Sequence, residues 1–141
     1  MANALYDKGR NSFLADDGIG GGQTDWLADD IRVILGDAAD YTVDLVNHDF
    51  LNDVPAAARV AVSGAFSGKT AVAGVADANN VTLTAVTGDV SEFLIIYKHT
   101  GVESTSRLLA YIDSATNLPV TPNGGDIVIQ WDNGANKIFK L

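Results

Sequence analysis

The chain contains no cysteine. Disulfide bonds, thiolate metal sites and a cysteine nucleophile are therefore excluded. Basic residues are also few, since 9 Lys and Arg stand against 18 Asp and Glu and give a formal charge of −9 at pH 7. A domain with this charge repels phosphate backbones and anionic lipid surfaces, so we expect it to bind neither nucleic acid nor membranes.

Long apolar runs are lacking as well. The most apolar segments, Phe93–Tyr97 and Leu108–Ile112, are far shorter than the roughly 20 residues that cross a bilayer as a helix. The first ten residues contain no unbroken apolar run of the kind that marks a secretory signal. We therefore expect neither a membrane-spanning segment nor an export signal.

Glutamate is scarce too, because all but two of the acidic residues, Glu92 and Glu103, are aspartates. Aspartate favours turns and helix caps, whereas glutamate favours helix interiors. Together with 14 glycines, this bias predicts short extended segments joined by many turns. The length of 141 residues predicts a single β-rich domain over residues 1–141.

Alternating apolar residues predict eight or nine short strands. In Val81–Ala85 the apolar side chains fall on one face and the threonines on the other. Phe93–Tyr97 is almost wholly apolar, so we expect it to lie centrally with both faces covered. The other predicted strands are Ile31–Leu35, Tyr41–Val46, Arg59–Phe66, Thr70–Val75, Arg107–Ile112, Asp126–Trp131 and Lys137–Leu141. Strands at this spacing predict an all-β sandwich or jelly-roll-like domain.

Residues 1–17 are predicted to form a short N-terminal helix or arm. Leu5, Phe13 and Leu14 lie eight and nine positions apart, which places them on one helical face. Gly18–Gly22 follows as a flexible loop. Because so short a helix is marginal in water, it must dock on its own domain, on a second copy or on another partner. The candidate interface residues are Leu5, Tyr6, Phe13, Leu14 and Trp26; for Trp26, plain packing beneath the helix is the alternative.

The last two predicted strands are separated by Asp132–Asn136, which contains an Asn-Gly pair. Asparagine and glycine tolerate positive φ, so this segment predicts a tight turn. We expect Asp126–Trp131 and Lys137–Leu141 to form an antiparallel hairpin around it. Trp131 shares a strand face with Ile127 and Ile129, which predicts a position in the core.

The segment Gly64–Thr70 resembles a phosphate-binding P-loop only superficially. A P-loop has four residues between its first glycine and the Gly-Lys pair, and a helix after the lysine. Here there are three, and β-branched residues follow. The segment therefore predicts a corner between two strands, and nucleotide binding is not expected.

No other segment carries the pattern of a catalytic or metal site. Neither His48 nor His99 lies in a motif for nucleophilic catalysis. Asp132, Asn133 and Asn136 offer oxygen ligands but lack the spacing of an EF-hand loop. We therefore predict that the protein is not an enzyme and that it has no catalytic residues, no cofactor and no dedicated metal site.

A series of short segments extends over nearly the whole chain in a specific order and spacing. They are Ala4–Arg10 with Phe13-Leu14, Asp25-Trp26 before Ile31–Leu35, Asp49–Val54, Tyr97–Gly101, Leu108–Asp113 and Asn123–Trp131. Together these segments resemble a family of small structural proteins of tailed bacteriophages, relative to which Gly18–Gln23 looks like an insertion. In size, acidity and β content the chain is similar to jelly-roll-like cement proteins, which sit on icosahedral capsids as dimers or trimers.

This resemblance implies a phage virion structural protein, most readily a capsid cement or decoration protein. Its expected partners are the major capsid protein, whose subunits it would bridge and stabilise, and itself as a homodimer or homotrimer. We expect it on the outer capsid surface, because a domain of charge −9 is unfavourable beside packaged DNA. The alternatives are a tail, neck or fibre component, and a host-surface or carbohydrate-binding module, which would need exposed aromatic residues on one sheet face.

Overall fold

A computed structural model describes residues 3–141, so Met1 and Ala2 of the predicted arm lie outside the described part of the chain. The strands are β1 (Ala4–Leu5), β2 (Ile31–Gly36), β3 (Arg59–Val62), β4 (Thr70–Val72), β5 (Val75–Asp77), β6 (Val81–Leu83), β7 (Phe93–Lys98), β8 (Leu108–Ile112), β9 (Ile127–Ile129) and β10 (Phe139–Lys140). The α-helix is α1 (Asp7–Leu14), and three 3₁₀ turns span Leu51–Asp53, Ala56–Ala58 and Glu103–Thr105.

The strands form three antiparallel sheets, with orders β1-β8-β7-β2-β3, β10-β5-β4 and β6-β9. The predicted all-β sandwich with a short N-terminal helix is thereby confirmed, with ten strands within residues 3–141 in place of eight or nine. Among residues 3–141, no helix has both the length and the apolar character needed to span a membrane.

The five-stranded central sheet is apolar on both faces because its strands alternate between two cores. Leu94 and Ile96 of β7 lie in the first core. Phe93, Ile95 and Tyr97 lie in the second. All residues of β7 are buried, which confirms the predicted central position of this strand.

Different parts of the chain cover the two faces of the central sheet. The two smaller sheets contribute Ala76 of β5 and Leu83 of β6 to the first core. The segment between β2 and β3 contributes Tyr41 and Leu51 to the second. This segment takes the place of a second full sheet on that face.

The N-terminal segment docks on its own chain. β1 pairs with β8 at the edge of the central sheet, and α1 packs against the same strand. Gly9 permits this approach, because a Cβ at that position would overlap the main chain of Leu108. Since Leu5 lies in β1 and Leu14 is 74% exposed, the prediction that Leu5, Phe13 and Leu14 share one helical face is wrong. Pairing with β8 draws the first residues into the sheet, and the helix begins only at Asp7.

Two buried basic side chains, Lys98 and Arg107, bind the predicted loop Gly18–Gly22 and the residue before it to the central sheet. Lys98 Nζ donates a hydrogen bond to the Gly21 carbonyl at 2.7 Å. Arg107 is fully buried, and its Nη2 donates to the Asp17 carboxylate at 2.6 Å. A charge-assisted bond in a buried position is stronger than one between neutral groups. The loop therefore has fixed partners on the sheet.

The single strand predicted over Thr70–Val75 is wrong, because β4 and β5 form a hairpin there. Ala73 and Gly74 have φ angles of 53° and 78°. Two successive residues with positive φ are the geometry of a two-residue type I′ turn. Alanine is uncommon in this conformation, and no Asn-Gly pair marks the turn.

The predicted hairpin between the last two strands is also wrong. β9 pairs with β6, whereas β10 pairs with β5. The chain does turn after β9, since the Lys137 amide donates to the Gly134 carbonyl at 3.2 Å. It then joins another sheet, because the Ile138 amide donates to the Ala76 carbonyl at 3.1 Å. That pairing brings the half-buried Phe139 ring to 5.2 Å from Trp26, at the border of the first core.

The strand predicted over Tyr41–Val46 is wrong as well. The Asp44 carboxylate accepts hydrogen bonds from the amides of Val46 and Asn47 at 3.1 and 3.0 Å. Aspartate favours this local turn over an extended ladder. The remaining predicted strands overlap β2, β3, β6, β7, β8, β9 and β10, although β3, β6, β9 and β10 are shorter than predicted. The predicted corner at Gly64–Thr70 connects β3 to β4 and ends at the first residue of β4.

Candidate interaction surface

A row of aromatic rings extends from α1 into the first core. Phe13 lies 5.7 Å from Phe139, which lies 5.2 Å from Trp26. Trp26 contacts Phe66 at 6.0 Å, and Phe66 contacts Trp131 at 5.5 Å. Tilted and edge-on pairs at these distances are favourable geometries for aromatic rings. The row connects the helix, β10 and the core, and it confirms the predicted core position of Trp131.

The row opens to solvent at its Phe13 end. A depression of about 460 Å³ is lined there by Phe13, Trp26 and Phe139. Leu27 and Leu141 also line it and are 54% and 50% exposed. Large apolar side chains at this exposure, grouped around aromatic residues, are typical of surfaces that contact another protein.

The free edge of β4 adjoins this depression. Ala71 of β4 is one of the residues that line it, and β4 is the outer strand of its sheet. All three residues of β4 are exposed, and none carries a charge. A strand at a sheet edge presents unpaired N–H and C=O groups that can pair with another chain. We call the depression and this edge, with Phe13, Leu27, Val72, Phe139 and Leu141, the apolar surface.

Two of the predicted interface residues, Phe13 and Trp26, are brought together at the apolar surface. Trp26 is only 5% exposed, and its Nε1 donates to the Asp77 carbonyl at 3.1 Å, so it forms the floor and agrees with the packing alternative. Leu14 is exposed beside Phe13 in the sequence. Leu5 and Tyr6 are buried in the two cores and do not reach this surface.

Sequence reasoning missed Leu27, Val72 and Leu141. Their exposure follows from where the chain turns and which strand ends at a sheet edge, and neither is encoded in local periodicity. The one local signal is Leu27, which directly follows Trp26 in an otherwise polar segment. An apolar pair in such a segment indicates either core or interface, and here Trp26 is buried whereas Leu27 is exposed.

Neither histidine has the surroundings of a catalytic base. His48 Nδ1 lies 2.7 Å from the Tyr41 hydroxyl. His99 Nδ1 is buried without a hydrogen-bond partner. In the part of the chain that the structure describes, no serine or threonine hydroxyl bonds to either ring. A nucleophile bonded to its base is the geometry that such catalysis needs.

An ion pair stabilises the turn before β2. The Arg32 guanidinium donates two hydrogen bonds to the Asp30 carboxylate, at 3.0 and 2.8 Å. This pairing holds the pKa of the Asp30 carboxyl below its usual range and raises that of Arg32. Both groups stay charged at neutral pH, and the pair orients the turn that leads into β2.

Three carboxylates, from Asp37, Asp40 and Asp89, lie within 4.8 Å of one another. Carboxylate oxygens are ligands that hard cations prefer, but calcium takes six to eight of them. Asp37 already accepts a hydrogen bond from the Ala39 amide at 2.8 Å. These residues lie apart from Asp132, Asn133 and Asn136 in the sequence, and within residues 3–141 they form a group of three acidic side chains close enough to approach one cation.

Comparison of the chain with protein-family models and with curated proteins gives no match. Composition, fold and the exposed apolar surface are therefore the observations from which a function is inferred.

Proposed function

We propose that the chain is a structural protein of a tailed-phage particle, most specifically a capsid cement or decoration protein. In this role it binds the outer surface of the shell and bridges neighbouring major capsid subunits. Its partners are the major capsid protein and further copies of itself, as a homodimer or homotrimer. It has no catalytic role.

The observation that carries the proposal is the apolar surface on a strongly acidic domain. Among residues 3–141, most large apolar side chains are buried in the two cores. Ten are exposed, and three of these, Leu27, Val72 and Leu141, lie at the apolar surface with 54%, 71% and 50% exposure. A cement protein needs one such contact surface and a rigid body behind it. The order of short segments that resembles small phage structural proteins supports the same role.

The charge supports an outer position. With a net charge of −9, many copies facing packaged DNA would be repelled by its phosphates. A protein that binds the assembled shell but not free subunits stabilises the assembled state by linkage. Weak binding of each copy is sufficient to stabilise the shell, because every bound copy adds to the stability of the assembled state.

The alternative of a carbohydrate-binding module is disfavoured by the aromatic residues. Within residues 3–141, every tryptophan, tyrosine and phenylalanine side chain is buried or half-buried. Trp131, like Trp26, also uses its indole N–H within the chain, donating to the Asn79 carbonyl at 3.1 Å. Within residues 3–141, none of the three sheets therefore presents an exposed, flat aromatic platform for a sugar ring.

The proposal is tested by adding the purified chain to capsids that lack it. We expect saturable binding to intact shells, and we expect Leu27→Asp to weaken it because a carboxylate would then enter the apolar contact. Val102→Asp is the matched control, since Val102 is 56% exposed but lies outside the apolar surface. Equal weakening by both variants, or none by Leu27→Asp, would contradict the role given to this surface.

A further inference from the structure

A chain of hydrogen bonds connects the end of β1 to His48. The hydroxyls of Tyr6 and Tyr41 lie 2.9 Å apart in a buried position. The Tyr41 hydroxyl lies 2.7 Å from His48 Nδ1. The Asp44 amide is also directed at this nitrogen, at 3.3 Å.

The direction of each bond follows from the Asp44 amide, which can only donate. His48 Nδ1 must therefore be an acceptor, and the ring proton of neutral His48 is on Nε2. Tyr41 then donates to Nδ1, and Tyr6 donates to Tyr41. Burial raises the pKa of Tyr41 to about 12 and that of Tyr6 further still, so both hydroxyls keep their protons at physiological pH.

Protonation of His48 conflicts with this arrangement. Both nitrogens of an imidazolium are donors. A proton on Nδ1 would face the Tyr41 hydroxyl and the Asp44 N–H, and at least the amide bond would be lost. Tyr41 would also have to accept a hydrogen bond from Nδ1 instead of donating one to it.

Other titratable and charged groups surround this network on several elements. They are Asp44 on the same segment, Lys8 of α1, Asp49, Asp53 of the 3₁₀ turn and Tyr111 of β8. Lys8 Nζ donates a hydrogen bond to the Asn47 carbonyl. The Asp44 carboxylate favours an imidazolium, but it faces water and already accepts hydrogen bonds from Asn47, so its attraction is screened. The Asp44 carboxylate therefore partly offsets the unfavourable contact between a protonated Nδ1 and the Asp44 N–H, but it does not remove that contact.

The segment that His48 holds is also bonded to the N-terminal helix. The Leu45 carbonyl accepts a hydrogen bond from the Asp7 amide at 2.8 Å, at the first residue of α1. Val43 and Leu45 pack against the second core. Release of this segment would therefore uncover the part of the second core that Tyr41, Val43 and Leu45 cover, and it would loosen the start of α1.

We propose that residues 41–48 form a pH-sensitive latch over the second core, closed by neutral His48 and released when His48 is protonated. The closed latch binds fewer protons than the open one. Its stability is therefore greatest while His48 is neutral, and it falls as the pH drops and His48 takes up a proton. The latch stands independently of the proposed virion role.

Amide hydrogen exchange on the intact chain tests the latch. Between about pH 7.5 and about pH 5.5, we expect the protection of the Asp7, Asp44 and His48 amides to fall up to about tenfold after correction for intrinsic exchange, the effect of losing one ordinary hydrogen bond. Amides of β7 should keep their protection over the same range. This contrast separates local release from general acid unfolding.

His48→Asn supplies the decisive variant, because its Oδ1 can accept the same two hydrogen bonds and does not titrate. We expect its latch amides to stay protected at both pH values, whereas His99→Asn, the matched histidine control, should behave like the unmodified chain. A wild-type latch that stays protected, or the same loss in His48→Asn, would overturn the proposal. If His48→Asn does not fold, the ring signals of the unmodified chain decide: protection must be lost as His48 titrates, and a loss that follows His99 instead overturns the latch.

Discussion

At the scale of single residues, the junction of β2 and β7 at Gly36 has no space for a side chain. Gly36 pairs with Phe93, and a Cβ at Gly36 would overlap the Phe93 ring. That ring is fully buried and lies 5.5 Å from Tyr41 and 5.3 Å from Tyr111, so it cannot move away freely. We expect Gly36→Ala to lower the free energy of unfolding by about 1–3 kcal/mol through overpacking, as measured by chemical denaturation.

Gly64→Ala is the control for this substitution. Nothing lies within 4 Å of a Cβ at Gly64, so the same added methyl group should change stability by less than about 0.5 kcal/mol. If Gly36→Ala were as stable as Gly64→Ala, the second core would be loose around Phe93, contrary to the packing described.

The alternation of single residues predicted correctly which side chains are buried in the clearest strands. Leu83 is buried and Thr82 is exposed, as expected from the period of two in β6. Tyr6 was assigned to a helical surface and lies instead in the second core, because β1 pairs with a strand more than 100 positions away. A two-residue strand is too short to produce a periodic signal, so only the fold reveals it.

At the scale of elements, β10 joins the aromatic row to the β4–β5 hairpin. Phe139 is half-buried between Phe13 and Trp26. We expect Phe139→Ala to lower the free energy of unfolding by about 2 kcal/mol, less than the roughly 3–5 kcal/mol lost when a fully buried phenylalanine is truncated. Leu141→Ala should cost less than about 0.5 kcal/mol, because Leu141 is half-exposed. Thermal or urea unfolding of the two variants provides the comparison, and equal stability would mean that β10 is not part of the core.

Local signals predicted most strands but not their partners. The Asn-Gly pair at Asn133 and Gly134 correctly marked a turn, yet the strands that flank it pair with β6 and β5. Pairing is decided by where apolar side chains can be buried together, and this depends on residues distant in the sequence. The same reason explains why Phe13 and Trp26 were candidates while Leu27 and Leu141, which complete the apolar surface, were not.

At the scale of the whole molecule, the apolar surface lies on an acidic body, and the acidic residue Asp25 is among those that line its depression. The charge of −9 keeps copies apart at long range, but at physiological salt it is screened beyond about 8 Å. Contacts at the apolar surface are short-range and can therefore form on a shell despite the charge. This combination suits a protein that remains dispersed until it meets its binding site.

The number and position of copies on purified particles test the proposed role most directly. Gel densitometry gives the copy number relative to the major capsid protein, and antibody labelling of intact, DNA-filled particles reports whether the copies face outward. We expect hundreds of copies per particle, all accessible without opening the shell. A few to a few dozen copies would place the protein in the tail or neck, and complete protection until the shell is opened would contradict an outer capsid position.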